Sequence, residues 1–254
     1  MELNATEAGA GDPVVVLHGL FGSGGNWGAI QKRLAARHRV IAPDLRNHGA
    51  SPHAAPMDYP AMAADVAEML AARDARPATV LGHSMGGKVA MALALAQPDL
   101  VSRLVVADIA PVAYPPGLRG YVAAMQALPL HAGLTRREAD AALAGAVPEA
   151  GIRAFLLQNL RFEGDAPAWR LGLPEIAAAM PVIEGFPEFS TPYAGPTLVL
   201  AGERSNYIRP EHHARFRALF PGARFATVPG AGHWVHAENP AGFLALIEPF
   251  LAGG

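Results

Sequence analysis

Six short apolar runs recur along the chain, each rich in valine, leucine or isoleucine and bounded by Gly, Pro or Asp. Runs of this length without polar alternation are typical of strands that are buried on both faces of a parallel sheet. The pattern therefore predicts strands over 14–19, 39–44, 78–83, 103–111, 196–202 and 224–230.

Longer stretches with helical patterning lie between these runs. They predict helices over about 26–37, 60–74, 86–97, 210–219 and 239–251. Strands and helices that alternate in this way predict an α/β protein with a doubly wound, mostly parallel sheet.

Residues 112–193 interrupt the alternation, because they contain helical patterns such as "IRAFLLQNL" but no convincing strand. About 80 residues are too many for one crossover, so we expect a helical cap over the carboxyl edge of the sheet, where open α/β sheets bind ligands. The predicted division is a core of residues 1–111 and 194–254 with the cap inserted at 112–193.

Composition narrows the function classes. The absence of cysteine excludes disulfides and thiolate chemistry, and it fits a reducing compartment, so we expect a cytoplasmic protein. The net charge of −2, without a basic block, argues against a nucleic-acid partner. The amino terminus has no signal-peptide pattern, and no apolar run approaches the ~20 residues of a membrane span.

The stretch "VLGHSMGGKVA" places Ser84 between Gly82 and Gly86, where a predicted strand becomes a predicted helix. A tight strand-to-helix turn needs small neighbours, and it presents the serine hydroxyl at the sheet edge beside free helix amides. We therefore predict Ser84 as a nucleophile. The alternative is a bystander serine in a glycine-rich turn.

A serine nucleophile needs a base, and His233 in "PGAGHWVHAENP" follows the last predicted strand in a glycine-containing loop. That loop can reach Ser84 at the same sheet edge, so His233 is the predicted base. His236 in the same loop is interpreted as a helix-entry or surface residue. His18 and His83 flank glycine turns and are interpreted as structural.

Two carboxylates compete to orient the base. Asp108 ends the strand after the nucleophile strand, and a carboxylate at the tip of an apolar strand is costly unless it is paired. Glu203 follows the strand after the cap, where Ser205 occupies the position at which an aspartate is common. We favour Asp108 and keep Glu203 as the alternative.

The loop "LHGLFGSGGNW" follows the first predicted strand and is suited to supply an oxyanion donor. We predict the backbone N–H groups of Leu20 and Met85 as the two donors, with Phe21 as the alternative to Leu20. A phosphate-binding loop is disfavoured because the segment lacks the Lys-Ser/Thr ending of a Walker motif.

Taken together, "LHGLFGSGGNW", "PDLRNHGASPH", "GHSMGGKVA", "VADIAPVAY" and "GAGHWVHAENP" resemble the α/β-hydrolase superfamily in content and order. Asn47 in "DLRNHGASPH" and the "DIAPV" segment are similar to a subgroup, the small bacterial YbfF-type esterases and their mitochondrial relatives. The resemblance implies a sheet of six to eight strands, Asp108 as the acid, and a carboxylesterase for short- to medium-chain acyl esters without a cofactor or metal. Asp44, Arg46 and His48 are interpreted as residues that shape a loop.

Several alternatives remain open at this level. The same triad performs thioester, carbon–carbon or lyase chemistry in other proteins, and a hydrolase fold can also serve as a non-catalytic binding protein. The expected partner is a small-molecule ester, and the sequence carries no indication of the oligomeric state. Trp234 and Phe21 are predicted to contact substrate. Aromatic and apolar residues of or near the cap could line an acyl pocket or simply pack: Phe155, Leu156, Leu160, Phe162, Trp169, Phe186 and Tyr193.

Overall fold

Each predicted apolar run forms a strand of one central sheet in the computed structural model, which describes residues 1–253. Two further strands of two residues each lie apart from it. The strands are β1 (Ala5–Ala8), β2 (Pro13–Leu17), β3 (Arg39–Pro43), β4 (Ala78–His83), β5 (Val101–Ala107), β6 (Leu160–Arg161), β7 (Ala168–Trp169), β8 (Thr197–Gly202) and β9 (Ala223–Val228).

The central sheet has seven strands in the order β1-β3-β2-β4-β5-β8-β9. All neighbours are parallel except β1, which pairs antiparallel with β3 at one edge. The predicted fold class, a doubly wound and mostly parallel sheet of six to eight strands, is confirmed. The sequence did not indicate β1, because "ATEA" is a partly exposed edge strand without an apolar run. The strand predicted over 103–111 is β5, which spans 101–107.

Helices cover both faces of this sheet. Local capping fixes two of their starts, since Asp58 accepts a hydrogen bond from the Ala61 N–H and Asn239 accepts one from the Gly242 N–H. The helices are α1 (Gly28–Leu34), α2 (Tyr59–Ala72), α3 (Met85–Ala96), α4 (Arg119–Ala127), α5 (Arg136–Leu143), α6 (Ala150–Leu157), α7 (Leu173–Ile183), α8 (His213–Leu219), α9 (Val235–Glu238) and α10 (Pro240–Leu251).

The core lies on both sides of the sheet, which explains the unbroken apolar runs. Along β2, Val15 and Leu17 pack with α2 and α3, whereas Val14 and Val16 pack on the opposite face with α1 and α10. Helix α3, which follows Ser84, is buried over its first eleven residues. The nucleophile candidate therefore sits on a rigid support.

Residues 112–193, called the helical insert below, lie between β5 and β8 and contain α4 to α7. The expectation that this segment holds no strand is wrong in one detail, since β6 and β7 form a short antiparallel pair. Part of the insert has its own small apolar cluster, which includes Leu128, Leu143 and Leu160. No helix among residues 1–253 combines the length and apolar character needed to cross a bilayer.

Candidate active site

Ser84 occupies the turn between β4 and α3, with φ 53° and ψ −122°. This left-handed conformation is strained for a residue with a side chain, and strain of this kind is often found at functional sites. Both flanking glycines are required, because a Cβ on Gly82 would overlap the backbone of Gly86, and a Cβ on Gly86 would overlap the carbonyl oxygens of Leu17 and His18. The local sequence thus places the hydroxyl in a partly exposed turn.

His233 lies in the loop between β9 and α9, and its Nε2 is 3.1 Å from Ser84 Oγ. The loop is held in place by His83, whose Nε2 donates a hydrogen bond to the His233 carbonyl oxygen at 2.8 Å. The ring of Tyr207 stacks on the imidazole with centroids 4.0 Å apart and an interplanar angle of 20°. These contacts fix both the backbone and the ring plane of the candidate base.

Asp108 directly follows β5 with φ 52° and is fully buried. Its Oδ2 lies 2.7 Å from His233 Nδ1, and its Oδ1 accepts a hydrogen bond from the Gly202 N–H at 3.0 Å. Because an ionised carboxylate only accepts, Nδ1 of His233 carries the proton and Nε2 is free to accept one from Ser84. The structure thus brings together the three residues that the sequence proposed.

Ser205 and Glu203 clarify the choice between the two carboxylates. Ser205 Oγ donates a hydrogen bond to Asp108 Oδ2 at 2.5 Å, so the serine at the usual aspartate position supports the buried aspartate from the neighbouring strand. The Glu203 carboxylate instead accepts a hydrogen bond from the Gly230 N–H at 2.6 Å. This geometry does not support Glu203 as the partner of His233.

The loop after β2 borders the same cavity as Ser84 through Leu20. The Gly19 carbonyl oxygen accepts hydrogen bonds from His18 Nδ1 at 2.8 Å and from the Gly22 N–H at 3.0 Å. Because the peptide bond is trans and planar, the Leu20 N–H points away from that carbonyl. Leu20, Met85 and Ser84 line one cavity, and the Met85 N–H lies in the first turn of α3, where amides lack helical partners.

Phe21 is not an alternative oxyanion donor, which corrects that part of the sequence interpretation. Its N–H donates a hydrogen bond to His48 Nε2 at 3.1 Å, and is therefore occupied.

The contacts of Asp44 and Arg46 agree with the interpretation of these residues as ones that shape the loop after β3. Asp44 accepts from the Gly24 N–H at 2.8 Å, and Arg46 forms a buried ion pair with Asp65 at 2.6 Å.

Four histidines around the site are buried and neutral. Burial lowers the pKa of His48 to about 3 and that of His236 to about 4. Burial also lowers the pKa of His18 and His83 below the ordinary value of 6.5. His236 begins α9 as expected, but it is not a surface residue, because its ring stacks on Trp27 with centroids 4.2 Å apart.

A cavity of about 100 Å³ adjoins Ser84 and has mainly apolar walls. Three tyrosines and a lysine contribute to its walls, and none of these four was indicated by the sequence. The lining residues are Leu20, Tyr59, Ser84, Met85, Lys88, Ile109, Tyr114, Pro115, Gly117, Leu118, Met180, Ile183, Glu184 and Tyr207. The lone lysine in the apolar stretch "KVAMALALA" was the one available signal.

The residues that the sequence offered as pocket walls lie elsewhere. Phe21 lines a separate polar cavity of about 260 Å³ next to residues 22–26, and Trp234 packs edge-to-face against Phe155 with centroids 6.0 Å apart. Neither belongs to the walls of the Ser84 cavity. Six of the remaining candidates pack against the apolar clusters, namely Phe155, Leu156, Leu160, Trp169, Phe186 and Tyr193. Phe162 is exposed, and its ring lies under the Arg136 guanidinium.

The fold, the strained serine turn and the Ser84–His233–Asp108 arrangement together define an α/β-hydrolase architecture. A family model described as alpha/beta hydrolase fold matches residues 12–240. The chain therefore belongs to the α/β-hydrolase family.

Individual relatives cover nearly the whole chain. The sn-1-specific diacylglycerol lipase ABHD11 of Mus musculus is 45% identical over 247 residues, covering 94% of this chain and 80% of the relative. The esterase YbfF of Escherichia coli K12 is 38% identical over 240 residues, covering 94% and 92%. A solved structure of a marine microorganism esterase superposes with a TM-score of 0.94 at 37% identity, covering 98% and 99% of the two chains.

Proposed function

We propose that the protein is a serine carboxylesterase that hydrolyses short- to medium-chain acyl esters through Ser84, His233 and Asp108. The single observation that carries the proposal is the hydrogen-bonded chain from Ser84 Oγ through His233 to Asp108, at 3.1 and 2.7 Å. The expected enzyme class, a hydrolase of ester bonds, is confirmed by the relatives named esterase and lipase.

In the first step His233 Nε2 accepts the Ser84 proton while Oγ attacks the ester carbonyl carbon. The carbonyl oxygen becomes an oxyanion, which the N–H groups of Leu20 and Met85 stabilise in this proposal. Asp108 stabilises the imidazolium that forms. His233 then protonates the leaving alcohol, and an acyl group remains on Ser84.

In the second step the same groups act on water. His233 Nε2 removes a proton from a water molecule, whose oxygen attacks the acyl carbon, and the Leu20 and Met85 amides again hold the oxyanion. Collapse of this intermediate returns the proton to Ser84 Oγ and releases the carboxylic acid. No cofactor takes part, and a cytoplasmic location stays a prediction from the sequence.

The size of the cavity supports short acyl groups. An apolar cavity of ~150 Å³ accommodates benzene, and the cavity beside Ser84 is about 100 Å³. About four carbon atoms therefore fit inside, and longer chains extend through the open side. In this proposal the helical insert is a cap on the core of residues 1–111 and 194–254.

Two alternatives come from the same family. The mouse relative's name favours a lipase acting on diacylglycerol as the second candidate, which requires the insert to move so that a long chain enters. Thioesterase, carbon–carbon hydrolase and lyase reactions use the same triad, and only substrates separate them. A non-catalytic binding role is disfavoured, because a binding protein does not need a serine, a histidine and an aspartate joined by hydrogen bonds.

The test is hydrolysis of p-nitrophenyl esters from acetate to decanoate by the wild type and by Ser84→Ala. We expect the highest kcat/KM at acetate to butyrate and no turnover above background in the variant, with unchanged circular dichroism. A wild type that cleaves acyl thioesters but none of the oxygen esters would replace this proposal by the thioesterase alternative.

A further inference from the structure

We propose that Lys88 sets the acyl-chain length preference, because its ammonium group joins both ends of the helical insert at the wall of the Ser84 cavity. Lys88 acts here as a positioning residue. The inference rests on the proposed esterase function and deepens it by naming what limits the acyl group.

Lys88 lies one helical turn after Ser84 on α3, so both residues face the same cavity. The side chain is almost fully buried, at 2% exposure. Its Nζ donates three hydrogen bonds to carbonyl oxygens, to Val112 at 2.9 Å, Glu184 at 3.2 Å and Gly185 at 2.6 Å. All three donors of the ammonium group are therefore used.

These three carbonyls belong to opposite ends of one segment. Val112 is the first residue of the helical insert, whereas Glu184 and Gly185 directly follow α7, its last helix. The Tyr114 N–H also donates to the Glu184 carbonyl at 2.9 Å, so the two ends of the insert contact each other where Lys88 reaches them. Lys88 links this junction to the helix that carries the nucleophile.

No carboxylate forms an ion pair with Lys88 in the described part of the chain, and burial lowers the pKa of Lys88 to about 7 although the nearby Glu184 charge raises it. The Glu184 side chain instead pairs with Arg119, with contacts of 2.5 to 3.0 Å on the exposed side of the junction. The ring of Tyr114 lies 4.9 Å from Nζ and that of Tyr59 lies 5.6 Å away, and both stabilise the cation from the side of the cavity. Burying a charge is costly unless polar groups surround it, so the charged form of Lys88 depends on these carbonyls and rings staying in position.

The consequence for substrates follows from the position of the junction. Glu184, Tyr114 and Tyr59 all line the cavity beside Ser84, so the backbone that Lys88 holds is part of the wall against which an acyl chain ends. Without the ammonium group, the Val112 and Gly185 carbonyls lose their partner in a partly buried site. They then move toward solvent, and the wall opens.

The experiment compares Lys88→Met with the wild type across p-nitrophenyl butyrate, octanoate and decanoate. Met has a similar length and apolar volume but no donor. We expect the ratio of kcat/KM for decanoate to that for butyrate to rise at least tenfold, through a lower KM for decanoate.

Arg119→Gln is the matched control, because it breaks the Glu184 ion pair at the same junction from the solvent side. That variant should keep the wild-type ratio. Titration with a fluorophosphonate counts the folded, competent sites, and Lys88→Gln takes the place of Lys88→Met if the latter does not label. The expected change for Lys88→Gln has the same direction.

A ratio within twofold of the wild type in the labelled variant overturns the inference, as does an equal loss for every ester, which marks a purely structural lysine. The proposed function fails separately. It is overturned if the wild type hydrolyses none of the three esters.

Discussion

Ser205 Oγ donates a hydrogen bond to Asp108 Oδ2 at 2.5 Å, across the gap between β8 and β5. Ser205 stands where an aspartate is common in this fold, and here the carboxylate comes from the neighbouring strand. The Tyr207 N–H also donates to Ser205 Oγ, at 3.2 Å, and the Tyr207 ring stacks on His233. The Ser205 hydroxyl therefore contacts both Asp108 and the residue whose ring covers His233.

Ser205→Ala should lower kcat by roughly tenfold and leave KM for p-nitrophenyl butyrate unchanged. The reason is that a hydrogen bond to a charged group contributes ~1.5–3 kcal/mol, and its loss weakens the orientation of Asp108 without touching the substrate. Steady-state kinetics measure the effect, with Ser190→Ala as an exposed control. A change confined to KM would contradict this assignment.

Asp108→Asn should reduce kcat by ~10⁴, because an asparagine amide stabilises the wrong imidazole tautomer. Glu203→Gln is the matched comparison, since its carboxylate contacts only the loop amide of Gly230 among the hydrogen bonds described. We expect that variant to stay within threefold of the wild type. A larger loss in Glu203→Gln than in Asp108→Asn would reverse the choice of acid.

Gly86→Ala should destabilise the protein by about 3 kcal/mol, because the new Cβ would overlap the Leu17 and His18 carbonyl oxygens in the buried backbone at the end of β2. Gly120→Ala in α4 serves as the control. A Cβ there meets nothing within 4 Å, so the substitution should stabilise by ~0.5–1 kcal/mol. Urea unfolding measures both values, and equal stabilities would contradict the packing described.

Acid should destabilise the protein partly through His236, whose pKa is about 4 when folded and 6.5 ordinarily. The unfolded state then binds the proton first, so stability is lost as pH falls below 6.5 toward 4. Lowering the pH from 7.5 to 5 costs ~2 kcal/mol through this residue. His236→Phe keeps the stack on Trp27. Over the same change of pH, its free energy of unfolding should fall by ~2 kcal/mol less than that of the wild type.

Urea unfolding at the two pH values checks this difference. The exposed His131→Ala variant is the control, and it should retain the wild-type dependence on pH. An identical loss of stability in the wild type and in His236→Phe would show that His236 is already protonated in the folded state.

The sheet was largely predictable because its strands are buried on both faces. Val14 to Leu17 are apolar at every position, as is typical of a strand that is buried on both faces of a parallel sheet. Strand β1 was not predicted, because its residues are partly exposed. Its extended conformation depends on pairing with β3, which lies 30 or more residues away in the sequence. Such an edge strand has no local signal.

The proximity of Ser84, His233 and Asp108 was predictable for a related reason, whereas the cavity was not. Ser84, Asp108 and His233 each come after a parallel strand, β4, β5 and β9, so topology places them at the same edge of the sheet. The cavity walls come from α2, α3, the insert and the loops after β2, β5 and β8, and their side chains meet only through tertiary packing. The aromatic residues of the insert were conspicuous in the sequence, but Phe155 and Trp169 pack within the protein instead.

The most direct test of the central claim is site mapping of a fluorophosphonate adduct by peptide mass spectrometry, with esterase activity followed in parallel. We predict one adduct per chain on Ser84, formed at the rate at which butyrate ester hydrolysis is lost, and no adduct in Ser84→Ala. An adduct on another residue, or full ester hydrolysis by Ser84→Ala, would contradict the assignment of Ser84 as the nucleophile.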